Sequence, residues 1–126
     1  KHKYQAQFFQ VKLHIYPFDI YVSVNQTHES FADSVTELDI SPKHIKWLSD
    51  FDTDGAKTYF SKKRRIGIIR MYDFGNSPES ISHLSHEVFH VVDLVMRGIG
   101  CKLRKGSDEA YTYLMQYLME SILKEL

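Results

Sequence analysis

Between residues 9 and 15 apolar side chains take every second position, Phe9, Val11, Leu13 and Ile15, with Gln10, Lys12 and His14 between them. A period of two is that of a strand with one buried face, so His14 on the polar face is expected in solvent. Pro17-Phe18-Asp19 interrupts the pattern, and Ile20, Val22 and Val24 resume it against Tyr21 and Ser23, which predicts an antiparallel hairpin. After Asn25 the period lengthens. Phe31, Val35 and Leu38 fall at helical spacing behind Thr27, a suitable cap, so a first helix is expected near residues 28 to 38. Ser41-Pro42 opens a short segment carrying Ile45, Trp47 and Leu48, as readily irregular as helical. Asp50-Phe51-Asp52-Thr53-Asp54-Gly55 is turn chemistry; its aspartates lack the closing glutamate of a calcium loop, so a surface turn is expected. Residues 57 to 60 and 66 to 72 are rich in β-formers and flank Lys62-Lys63-Arg64-Arg65, predicting a second hairpin with a solvated basic tip.

The next segment carries the candidate chemistry. Ser77 can cap a helix with Pro78 at its first position, and Gly98 or Gly100 can end it. At about 100° per residue, His83, His86, His90, Asp93 and Arg97 form one polar stripe on this helix. Ile81, Leu84, Val88, Phe89, Val91, Val92, Val95 and Met96 cover the remainder, so burial on nearly all sides is expected. Within the stripe stands His86-Glu87-Val88-Phe89-His90, an H-E-x-x-H pattern. Histidines four apart rise from one helix face and can share a Zn²⁺, and Glu87 beside them is placed to take a proton from an activated water. The plain alternative is a solvated face on which the pattern is accidental.

Composition narrows the classes. The chain has 126 residues, enough for one domain, with sixteen basic and sixteen acidic side chains in balance. That balance gives no case for nucleic acid or an anionic membrane as partner, and no apolar run approaches the length of a membrane span. Cys101 is alone, so no internal disulfide marks an oxidising compartment and a cytoplasmic location is expected. Asn25-Gln26-Thr27 matches a glycosylation acceptor but reads as a turn into the first helix. The chain starts at Lys1, as a processed or truncated one would.

A catalytic zinc site usually takes three protein ligands. Ser107-Asp108-Glu109-Ala110-Tyr111 reads as the capped start of a last helix, with Leu114, Met115, Leu118, Met119 and Ile122 on one side and Glu109, Tyr113, Gln116 and Glu120 on the other. If the polar stripes of the two helices face one another, a carboxylate comes beside His86 and His90. Glu109 is the first candidate, with a simple dipole-complementing role as its alternative; Asp108 is the fallback, and Glu120 lies too far along the helix. Asp93 can orient a histidine ring or pair with Arg97.

At these residues the chain resembles the gluzincin class of zinc metallopeptidases, in which H-E-x-x-H on one helix is joined by a glutamate from the next. His86-Glu87-Val88-Phe89-His90 followed by Ser107-Asp108-Glu109-Ala110-Tyr111-Thr112-Tyr113-Leu114 is similar to short metallopeptidases encoded in phages and prophages, over roughly residues 66 to 120. The resemblance implies an α+β fold reduced to a minimal zincin core: a small, mainly antiparallel sheet of two hairpins, an N-terminal helix, a metal-binding helix and a C-terminal glutamate helix. Tyr113 stands where thermolysin-like enzymes have an aspartate, and no third histidine follows at metzincin spacing.

The expectation is a single-domain zinc-dependent peptidase of a bacterial host's cytoplasm. His86, His90 and Glu109 would hold Zn²⁺, Glu87 would be the general base, and His83, Asp93, Tyr111 or Tyr113 would give second-shell or oxyanion support. A strand at the sheet edge above the metal, such as residues 66 to 72, would bind an extended peptide. The alternative is a phage-associated interaction domain of the same fold, without peptidase activity, whose partner is a phage or host protein and whose zinc is a staple.

Overall fold

A computed structural model describes residues 3–51 and 55–126. The order of elements is β1 (Gln7–Lys12), β2 (Asp19–Val24), α1 (His28–Ser34), a 3-10 turn (Thr36–Leu38), α2 (Pro42–Leu48), β3 (Ala56–Ser61), β4 (Ile66–Met71), α3 (Pro78–Gly98) and α4 (Asp108–Glu125). The fold is α+β, as expected, but its sheet is mixed. Both hairpins form, β1 with β2 and β3 with β4, and β2 then pairs with β4 in parallel, giving the order β1-β2-β4-β3. The strand expected at the edge, β4, is therefore interior, and β3 is the edge strand.

The alternation of side chains explains the layers. Ile20, Val22 and Val24 of β2 with Ile69 and Met71 of β4 join a core under α3 and α4. The opposite parity, with Ile68 buried and Tyr21, Tyr59 and Ile66 partly so, packs against Phe31, Val35, Ile40 and Leu48 from α1, α2 and their connections. Helices thus cover both faces, and β2 and β4 are buried on both, the usual condition of a parallel pair. One residue breaks the apolar rule. Arg70 of β4 is 1% exposed. It donates to Ser23 Oγ at 3.0 Å, Gln26 O at 3.2 Å and Ser49 Oγ at 3.3 Å, under the ring of Phe31 at 4.4 Å.

Local chemistry sets most boundaries. Thr27 Oγ1 accepts from Ser30 N and Ser41 Oγ from His44 N, so the segment after Ser41 is helical. Ser77 Oγ accepts from Ser80 N, with Pro78 at the first position of α3. The helix closes on Gly100 at φ +81°, where Gly100 N donates to Arg97 O and Cys101 N to Met96 O, a Schellman ending that needs a residue without Cβ strain. Ser107 does not cap α4 by its side chain; its hydroxyl donates to Lys102 O, and Asp108 Oδ1 accepts from Glu109 N. Asn25 sits at φ 54° and links Tyr4 O, Phe74 O and Phe74 N by its amide, fixing the turn between β2 and α1. The basic tip and His14 are exposed, as expected. Asp52, Thr53 and Asp54 of the expected surface turn lie outside the described residues. Among the described residues no helix is long and apolar enough to cross a membrane.

Candidate metal centre

The site is built where α3 crosses the edge of the sheet. Leu84, Val88, Val91, Val92 and Val95 turn one face of α3 into the core. The opposite side is not buried as its composition predicts: His86 and His90 are exposed, and Phe89 is 38% exposed. Between the two lies Glu87, 9% exposed and facing β3.

His86 Nε2 and His90 Nε2 converge to 3.1 Å, with the rings edge to face. Two nitrogens bound to one tetrahedral Zn²⁺ at about 2.0–2.1 Å lie roughly 3.3–3.4 Å apart, so the pair fits two corners of such a site with little change. Glu87 Oε2 lies 3.9 Å from His86 Nε2, and its other oxygen, Oε1, accepts from Thr58 Oγ1 of β3 at 2.6 Å. Thr58 was invisible to sequence reasoning, because nothing in a strand pattern pairs it with a helix residue 29 positions on.

The third donor is not gathered. The apolar stripe of α4, Tyr111, Leu114, Leu118 and Ile122, packs on the core. Burial of such side chains is worth about 1.5–3 kcal/mol each, far more than two exposed polar stripes gain by meeting. Glu109, Tyr113, Gln116 and Glu120 are consequently exposed on the outer face, and the facing of polar stripes expected from the sequence does not occur. Tyr111 Oη lies 2.9 Å from Cys101 O and 3.2 Å from Asp93 Oδ1, which holds the first turn of α4 beside the end of α3. Asp93 lies about two turns along the helix from His86 and about one turn from His90. Among the described residues no hydrogen bond or ion pair joins Glu109 to either histidine, and no group of three His, Cys, Asp or Glu side chains could hold a metal. Asp108, the fallback, is exposed in the same turn, and Glu120 pairs with Lys124 at 3.5 Å.

The supporting residues separate in the same way. Asp93 receives Arg97 Nε at 3.0 and 3.1 Å, so it pairs with Arg97 and Tyr111 and not with a histidine ring. Burial, with the charge and hydrogen bond of Asp93, raises the Tyr111 phenol above its ordinary range, which suits a structural donor. Tyr113 is 65% exposed and lines a different hollow with Leu13, His14, Ile15 and Tyr117. His83 alone of the four reaches the cleft, a space of about 350 Å³ lined by Ala56, Ser82, His83, His86 and Glu87. Through Ala56 and His83 it adjoins a larger cavity of about 860 Å³ between the segment after β4, the start of α1 and the start of α3, walled in part by His28, Phe51, Tyr72 and Glu79.

The edge strand completes the geometry. Tyr72 N donates to Gly55 O, so in this antiparallel register Gly55, Lys57, Tyr59 and Ser61 turn their main-chain groups toward β4. Ala56, Thr58 and Phe60 turn theirs outward, where no strand lies beside β3 among the described residues. No family model, curated protein or solved structure matches the chain.

Proposed function

We propose that this protein is a zinc-dependent hydrolase of peptide bonds, with His86 and His90 as metal ligands and Glu87 as general base. The observation that carries the reading is the convergence of His86 Nε2 and His90 Nε2 to 3.1 Å beside a buried carboxylate whose Oε2 lies 3.9 Å from His86 Nε2. Zn²⁺ held there would polarise the scissile carbonyl and acidify a water. Glu87 would accept the proton of the water that attacks the carbonyl carbon and would return it to the leaving amine as the C–N bond breaks. Of the candidate oxyanion donors, His83 lines the same space as His86 and Glu87, which supports giving it that role. The peptide lies extended along β3, pairing with the outward groups of Ala56, Thr58 and Phe60, a mode that suits unfolded or flexible chains.

Glu109 is the donor that the gluzincin resemblance adds, and its placement supports it least. Tyr111, two residues on, holds the first turn of α4 to Cys101 and Asp93, and among the described residues Glu109 is not gathered with the two histidines. The second reading is an interaction domain without peptidase activity, phage-associated as the resemblance implies, in which zinc is a staple.

The two readings part at Glu87. Glu87→Gln keeps the shape and both histidines, so hydrolysis of an unfolded test protein is expected to fall by at least ~10²-fold while zinc content and thermal melting stay those of the wild type. Equal, chelator-insensitive hydrolysis by both chains would be contamination and would end the peptidase reading.

A further inference from the structure

Thr58 performs two tasks that meet at one residue. Its hydroxyl makes the one side-chain hydrogen bond to Glu87 found among the described residues, at 2.6 Å, while its N–H and C=O lie on the open edge of β3. A carboxylate on a two-bond stem has freedom about its terminal torsion, and one fixed oxygen removes it. With Oε1 tied to the strand, Oε2 stays turned toward His86.

We propose that Thr58 is a positioning residue that registers a bound peptide to the general base. An extended chain paired to the edge of β3 docks on the main chain of Thr58, and the hydroxyl of the same residue sets the oxygen that must meet the attacking water. Neighbouring edge residues offer no such link. Ala56 has no side-chain donor, and Phe60 packs into the core beside Phe18 at 5.3 Å. The inference rests on the hydrolase reading and adds a specific division of labour: main chain for binding, side chain for the chemical step.

That division gives the test. Thr58→Val is nearly isosteric and keeps the main chain, so substrate affinity is retained while the base loses its tether. Misplacement by about 1 Å can lower a rate by ~10²-fold. With labelled casein as the unfolded substrate and with equal zinc content, Thr58→Val is expected to lower kcat by about tenfold or more and to leave KM within about twofold. Thr58→Ser, which restores the hydroxyl, is expected within about threefold of wild-type kcat. If the valine chain melts early, Thr58→Ala is read in the same way at a temperature where it is folded. A merely structural hydroxyl would lower the melting temperature and leave kcat per folded molecule unchanged, and that result overturns the proposal, as does a rise in KM alone. Absence of chelator-sensitive hydrolysis in the wild type ends the hydrolase reading first, and this inference with it, before any variant is compared.

Discussion

Arg70 is the residue whose environment departs furthest from its chemistry. Among the described residues it has no carboxylate partner; it meets two hydroxyls, one carbonyl and the rings of Phe31 and Phe51. Burial pushes its pKa down to about 10, the signature of a cation held without a counter-charge. Desolvation of the guanidinium therefore offsets much of what its hydrogen bonds contribute, while its bulk still fills the layer between β4 and α1. Arg70→Met, which keeps the volume, is expected to change unfolding free energy by about 1 kcal/mol or less. Arg70→Ala leaves a cavity beside Phe31 and is expected to cost about 3 kcal/mol or more. Urea denaturation of both distinguishes packing from charge, and equal losses would mean that the hydrogen bonds dominate. None of this was legible in the sequence, where Arg70 is one cation in a strand of isoleucines.

At the scale of elements, the helices and hairpins were legible because periodicity reports which face of an element is buried. It does not report the neighbour. The alternation through Ile20, Val22 and Val24 gave β2, but not its parallel pairing with β4, which spans more than forty positions. Residues 66 to 72 were expected at the sheet edge, yet β4, with Arg70 among its isoleucines, is interior and β3 is the edge strand, because strand order is a tertiary property that periodicity does not carry. Both stripes of α4 are present, the apolar one on the core and the polar one exposed, since the apolar stripe decides how a helix docks. This placement makes a prediction about Glu109. With Tyr111 holding the first turn beside Cys101, Glu109→Gln is expected to leave zinc affinity within about threefold, whereas His90→Ala lowers it by about a hundredfold or more. Competition with a coloured chelator ranks them. A large loss in Glu109→Gln would mean that α4 rearranges when metal binds.

For the whole molecule, the arrangement is economical. A 126-residue chain places a buried carboxylate, two converging imidazoles and an open strand edge at one corner, with a larger cavity adjoining through Ala56 and His83. The His86-Glu87-Val88-Phe89-His90 pattern made the first two visible in advance. The edge and the tether from Thr58 arise only from tertiary pairing, so they had no signal in one sequence. All of these features take a common meaning only if the two histidines bind metal. The direct measurement is elemental zinc per chain, taken on protein purified without added metal and again after equilibration with Zn²⁺ at neutral pH, for the wild type and His86→Ala. The account predicts about one equivalent on the wild type and its loss in His86→Ala with folding retained. Less than about a tenth of an equivalent on the equilibrated wild type, or equal binding by both chains, would contradict it.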